Sequence, residues 1–387
     1  MSGRESVLIG ADVVVTGSAV LRPGWLEVGQ GCVLELGAGS PPRPVDTPLG
    51  AVIVVPGFVD IHVHGGGGGA FSEATADETR SASALHADHG TTTMIASLVS
   101  AHPQDLLRQV RVLAEQVEDG LVSGIHLEGP WLSPARPGAH EPSTLRAPDP
   151  GELERVLAAG RRSIRMVTMA PELDGALDAV RRIVGAGAVA AVGHTDATYD
   201  LAHDAVEAGA TVATHLFNAM RPVHHREPGP VIALLEDPRV IVELIADGVH
   251  LHPALARHVS ATVGTDRVAL VTDAMAAAGM PDGRYRIGAL PVDVVDGVAK
   301  LADTDTIAGS TATMDQLFRF AVVNSDLNED AALLTAVRQT SVNPARALGL
   351  GGLGLTQGAP ADLVVLDAAF AVTAVMRRGS WVIAPSG

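Results

Sequence analysis

Six side chains able to ligate a divalent cation or carry a proton each close a short apolar run. They are His62 and His64 in FVDIHVH, Glu128 in SGIHLEG, His194 in AVAAVGHTD, His215 in TVATHLFN and Asp273 in VALVTDAM. Imidazole nitrogens with carboxylate oxygens and no thiolate suit zinc, iron or a similar divalent ion. Strand alternation points His62 and His64 to one side. Burying all six together without a cation would leave several polar groups costly and unpaired. Two ions side by side need an anionic bridge, and Lys300, in GVAKLAD well beyond the last run, is badly placed to serve as a carbamate. That leaves Glu128. The resulting partition gives one ion His62, His64 and Asp273 and the other His194 and His215, with Glu128 and a solvent molecule between them. Such a pair acidifies the water and polarises a bound carbonyl.

These residues need elements that bring them together. Eight apolar runs occur between residue 56 and about residue 350: the five above with TTTMIASLV, IRMVTMAP and IVELIADGV. Helical stretches intervene, among them PQDLLRQVRVLAEQVEDG and YDLAHDAVEAG, and Thr75 to Glu78 has capping-box spacing. From His64 to Asp273 seven repeats average about 30 residues each, the size of a βα unit. The expected fold is therefore α/β, a (β/α)8 TIM barrel over residues 54–354, whose strand C-terminal ends form the active face. Residues 1–53 and 355–387 alternate short β-branched runs with turns and are expected to build one small β-sandwich domain from both chain ends. The five glycines at 65–69 read as a loop.

Composition removes other chemistries. Among 387 residues, 44 acidic against 27 basic give a net charge of −17, which disfavours nucleic acid as a partner. The single cysteine, Cys32, excludes disulfide frameworks and thiolate zinc sites, and the single lysine removes nearly every mechanism needing a Schiff-base or P-loop lysine. Acidic Glu5 and Asp12 argue against a signal peptide, and runs such as AVIVVPGFV are too short and interrupted to span a bilayer. A soluble cytoplasmic protein, with no membrane partner, is expected.

The segments PGFVDIHVHG, HLEGPW, VGHTDA, THLFNAM, HHREPG, DGVHLHP, LVTDAMAAAGM and IAGSTATM occur in that order. Together they resemble the amidohydrolase superfamily and, within it, the N-acetylglucosamine-6-phosphate deacetylase family, over about residues 53–350. The resemblance implies metal-dependent hydrolysis of a sugar-phosphate acetamide, with Asp273 and His140 catalytic. Asp273 would shuttle the proton, and His140, in the loop PGAHEP with Ala139, would help polarise the acetyl carbonyl. It also implies substrate contacts from Asn218, Ala219, Arg226 and His250, and from the loop Ile307, Ala308 and Gly309. Arg226 would come from the neighbouring subunit of a homodimer.

His224 and His225 read as solvated loop residues, and adjacent Glu227 offers Arg226 an alternative ion pair. His126 shares Glu128's side of its strand and reads as a supporting or barrel-core residue. His86, His89, His102, His203, His252 and His258 read as helical or surface residues. Competing functions are another amidohydrolase, such as an N-acyl amino acid deacylase, and a non-catalytic barrel. Dihydroorotases and hydantoinases normally need a lysine near the fourth run, where IRMVTMAP has none. A non-catalytic barrel would be expected to have lost part of the metal set, which is intact here.

Overall fold

In the computed structural model, which describes residues 6–351 and 354–385, the eight apolar runs form eight parallel strands. These are Phe58–Val63, Thr91–Leu98, Ile125–Glu128, Ile164–Met169, Val189–Val192, Val212–Ala213, Ile241–Leu244 and Val268–Leu270. They neighbour one another in chain order. The ring closes just past the eighth, where the Asp273 N–H donates to the His62 carbonyl and the His64 N–H to the Ala274 carbonyl, both at 2.8 Å. The first, third and seventh strands are buried along their whole length. Covering on both faces explains why such runs read as continuous apolar stretches instead of alternating ones.

Helices follow the strands where the apolar spacing places them. Pro103–Glu118 opens with proline and buries Leu106, Val110, Leu113 and Ala114 on one stripe. Tyr199–Glu207 is capped by the Thr198 side chain, which accepts the Leu201 N–H. The Thr75 box is half made. Thr75 Oγ1 accepts the Glu78 N–H at 3.3 Å, but the Glu78 carboxylate accepts the Ala70 N–H instead.

The glycine run is a structured hairpin and not an open loop. Gly65–Gly66 pairs antiparallel with Gly69–Ala70, and the turn needs positive φ at Gly67 (58°) and Gly68 (83°). The N–H groups of Gly65, Gly67 and Gly68 bond the carbonyls of Ala274, Ala278 and Ala276 at 2.8–3.0 Å. That stitching binds the end of the first strand to the segment after Asp273. A three-stranded antiparallel sheet, Gly283–Ile287, Leu290–Val295 and Val298–Leu301, is inserted after the eighth strand. Lys300 lies on it, half exposed and paired with Asp305 at 3.1 Å.

Both chain ends contribute to one eight-stranded mixed sheet. Its order is Ser380–Ile383, Val372–Arg377, Leu363–Leu366, Thr47–Pro56, Val7–Val15, Gly24–Gly29 and Cys32–Ala38, with Val20–Leu21 beside Val7–Val15. Hydrogen bonding runs unbroken through it, so the expected sandwich is one continuous sheet, with a core that includes Ile9, Leu26, Val54, Leu363 and Met376. The chain divides into two compact units. One holds Ile61–Leu85 and Met94–Thr313; the other holds the chain up to Asp60, His86–Thr93 and the chain from Met314. Residues 1–5, 352–353 and 386–387, which enter the expected domain spans, lie outside the described residues, as does Glu5.

Gly193, just past the fifth strand, has no room for a side chain. A Cβ there would lie 2.7 Å from Thr214 Cβ and 2.8 Å from Thr168 Cγ2, both buried. Gly193→Ala is expected to cost about 1–3 kcal/mol through overpacking, measured by urea unfolding; an unchanged midpoint contradicts this packing.

Candidate metal centre and active site

The six side chains singled out from sequence meet at one end of the barrel around Glu128. Glu128 Oε1 lies 3.0 Å from His194 Nε2 and 2.9 Å from His215 Nε2, while Oε2 lies 3.1 Å from His64 Nε2. Asp273 Oδ1 is 3.1 Å from His64 Nε2 and 3.4 Å from His62 Nε2. The Nε2 atoms of His62 and His64 are 3.2 Å apart, and those of His194 and His215 3.1 Å apart. Two ligand atoms held about 2.0–2.1 Å from one zinc ion at a tetrahedral angle are about 3.3 Å apart. The observed spacings therefore fit nitrogen and oxygen donors arranged around divalent ions. The six are nearly or fully buried, and His62, His64 and Glu128 form one of the ligand groupings.

Local backbone geometry aims these groups. His194, His215 and Asp273 have φ of 47°, 27° and 49°, the left-handed region that non-glycine residues seldom occupy. Each lies just past its strand, where the turn swings the side chain toward Glu128; such conformations cost of order 1–3 kcal/mol and cluster at functional sites. Outer contacts fix the rings. His62 Nδ1–H donates to Glu243 Oε2 at 3.1 Å and His194 Nδ1–H to the Arg136 carbonyl at 3.1 Å, so both Nε2 atoms face the cluster. His140 is the reverse case. Its Nδ1 accepts the Ser100 N–H at 3.1 Å, so Nε2 carries the hydrogen and lies 3.4 Å from Glu128 Oε2.

The electrostatics are those of an ion cluster. Burial alone would raise the Glu128 carboxyl, but His62 and His140 outweigh it and hold it well below the carboxylate range. Asp273 is likewise depressed by His62 and His64 against the effect of burial. Burial opposes charge on His64 and His62, yet the Asp273 and Glu128 carboxylates push His64 up to about 9 and His62 well above its ordinary value. His126 behaves differently. Its ring lies edge-on to His62, with centroids 4.5 Å apart, and its nitrogens reach Ser97 Oγ and Thr168 Oγ1 at 2.9 and 2.8 Å. Burial and the His62 charge drive it well below its ordinary value, so it is a neutral core residue beneath the cluster.

Above the cluster opens a cavity of about 490 Å³. Ala139, His140, Asn218, Ala219, His250, Ile307 and Gly309 all line it, with Val99, Arg136, Ile245, Ile287 and Asp305. His250 Nδ1–H donates to Asp247 Oδ2 at 2.7 Å, and although burial opposes it, this contact raises the imidazole's pKa. Ala308 packs its side chain into the apolar cluster of the inserted sheet. Arg226 is exposed, lies outside the lining, and makes no side-chain hydrogen bond or ion pair among the described residues. Glu227 pairs with Arg221 at 3.8 Å and not with Arg226. His224 and His225 are exposed with rings 4.2 Å apart. His252 caps the helix Pro253–Val263, and His89 pairs with Asp315 at 3.1 Å.

Sequence reasoning missed Glu243. A lone acid inside the apolar run IVELI was its signal, because a strand buried on both faces accommodates a carboxylate only with partners. The Ser100 N–H and the Arg136 carbonyl are backbone groups and leave no trace in residue type.

Residues 53–382 match the amidohydrolase family. The N-acetylgalactosamine-6-phosphate deacetylase of Escherichia coli O157:H7 is 34% identical over 364 residues, covering 92% of this chain and 95% of that one. The N-acetylglucosamine-6-phosphate deacetylase of Bacillus subtilis (strain 168) is 33% identical over 390 residues, covering 97% of each. A solved structure of a mutant N-acetyl-D-glucosamine-6-phosphate deacetylase from Mycobacterium smegmatis, in complex with N-acetyl-D-glucosamine-6-phosphate, superposes with a TM-score of 0.97. It is 63% identical, over 98% of this chain and 100% of that one. The chain belongs to the amidohydrolase family, in the branch of its N-acetylglucosamine-6-phosphate deacetylases.

Because cation binding must displace protons from His62 and His64, affinity for Zn²⁺ is expected to rise with pH between 7 and about 9, with proton release. At pH 8 saturating Zn²⁺ should raise the melting temperature of chelator-stripped protein, and Glu128→Gln should remove most of that rise. Calorimetric titration at several pH values checks the sign; affinity falling with pH contradicts it.

Proposed function

We propose that the chain hydrolyses the acetamide of N-acetyl-D-glucosamine 6-phosphate to D-glucosamine 6-phosphate and acetate. One observation carries this reading: the Asp273 carboxyl and the Nε2–H of His140 both reach the Glu128 cluster at the floor of a cavity lined by Asn218, Ala219 and His250. Cavities of ~300–1,000 Å³ suit small-molecule substrates. His62, His64 and Asp273 would hold one divalent ion and His194 and His215 a second, with Glu128 shared; zinc and iron both suit this donor set. When bound, the ions acidify a water molecule and polarise the acetyl carbonyl.

The chain's own groups do the rest. His140 donates its Nε2–H to the carbonyl oxygen, where negative charge develops. Asp273 takes the proton of the attacking water and returns it to the departing amine nitrogen. Ser310 N–H donates to the Asp273 carbonyl at 2.8 Å, which supports a role for the adjoining loop Ile307–Gly309 in packing the acetyl group and sugar beside that carboxylate. Asn218 and the Ala139 and Ala219 backbones would orient the sugar, and His250, favoured as imidazolium by Asp247, would face the phosphate.

Arg226 would complete the phosphate site from the second subunit of a homodimer. Its exposure, with no side-chain partner among the described residues, supports that assignment. A phosphate dianion does not cross a bilayer unaided, which supports a cytoplasmic site of action. N-acetylgalactosamine 6-phosphate is a second reading, favoured by the Escherichia coli relative.

Acetate release should be at least about tenfold more efficient in kcat/KM with the 6-phosphate than without it, given charge-assisted contacts worth ~1.5–3 kcal/mol each. Equal rates with and without the phosphate contradict the substrate assignment, and the same assay on the C4 epimer ranks the two sugars. Asp273→Asn should abolish turnover while leaving sugar-phosphate binding largely intact; retained turnover refutes its proton-transfer role. Mixing the slowed Arg226→Ala with inactive Asp273→Asn subunits should raise activity above that of either alone, since one site of each mixed dimer regains both groups. No rise in dimers shown to have exchanged subunits contradicts the shared site.

A further inference from the structure

Glu243 sits inside the seventh barrel strand with no exposed surface. Its Oε2 accepts two hydrogen bonds, from His62 Nδ1–H at 3.1 Å and from the His215 backbone N–H at 3.2 Å. Its Oε1 has no partner among the described residues. A buried carboxylate held by so few donors is costly, and nearby polar groups do not need it: His126, Thr168 and Thr214 bond one another in a separate chain at 2.8 Å per link. The two groups it does hold belong to opposite halves of the proposed metal centre.

We infer that Glu243 is a positioning residue that fixes His62 as an Nε2 ligand and ties its ion to the ion held by His194 and His215. The inference rests on the metal-centre reading above. A carboxylate behind a ligating imidazole locks the tautomer and makes the free nitrogen more basic. Among the described residues, a carboxylate backs the Nδ1 of only one of the four imidazoles, His62. His194 Nδ1–H donates to a neutral carbonyl, and Nδ1 of His64 and of His215 has no hydrogen-bond partner among the described residues. The ion held by His62, His64 and Asp273 therefore depends on Glu243 more than its neighbour does. The hydrogen bond to the His215 backbone, next to its left-handed φ of 27°, transmits the constraint to the second ion.

The test compares full-length wild type with Glu243→Gln, which keeps the shape and an acceptor oxygen, and Glu243→Leu, which keeps neither. Affinities for Zn²⁺ are read by chelator competition, ligand geometry by the visible spectrum of the Co²⁺-loaded protein, and folding by thermal melts of the metal-free forms. The expected result is one ion weakened about tenfold in Glu243→Gln and about 10–100-fold in Glu243→Leu. The other ion should weaken less, one component of the cobalt spectrum should change, and metal-free Glu243→Gln should melt with the wild type. Affinities within twofold of wild type in both variants, equal weakening of both ions, or loss of the metal-free fold in Glu243→Gln each overturn the inference. A wild type that takes up no cation instead overturns the metal-centre reading beneath it.

Discussion

A buried carboxylate ringed by five imidazoles is the constraint on which the rest of the molecule depends. Glu128 retains only 3% exposure, and each ion removed from water costs several kcal/mol before its partners act. In the protein alone the compensation comes from protons on His62 and His64; divalent cations do the same work with more charge and fixed direction. Either way, the strand ends must deliver their side chains to within ångströms of one another, and the fold is arranged to do so.

That delivery relies on features which would be liabilities elsewhere. Three of the six side chains of the cluster sit on left-handed backbone, five consecutive glycines form a hairpin that bonds the segment beyond Asp273, and Gly193 leaves room for two threonines inside the barrel. The inserted sheet after the eighth strand has its own apolar cluster, which includes Val292, Val294 and Ala308, and brings Ile307 and Gly309 to the cavity wall. Chemistry and stability thus meet at the same residues: Asp273 closes the barrel through its backbone and faces Glu128 through its side chain.

Much of this was legible in the sequence because strand alternation and chain order are strong signals. His62 and His64 share a face by parity, and the same parity places His126 beneath Glu128. What escaped was set by tertiary contact. Glu243 looked like an isolated acid in an apolar run, and its two partners lie 181 and 28 residues away. The glycine run could not reveal a hairpin, since its pairing is a matter of backbone bonds. The inserted sheet went unread because it lies beyond the last of the eight runs, in a segment without ligand-type spacing. Arg226 is exposed and has no side-chain partner among the described residues, so only its motif, HHREPG, singles it out.

The central claim is that divalent cations sit on both sides of Glu128. Anomalous diffraction from crystals of the catalytically active protein, recorded above and below the zinc and iron edges, tests it most directly. The account predicts two peaks, one among His62, His64 and Asp273 and one between His194 and His215, each within ligand distance of Glu128. Active crystals with no anomalous peak beside Glu128 would contradict it.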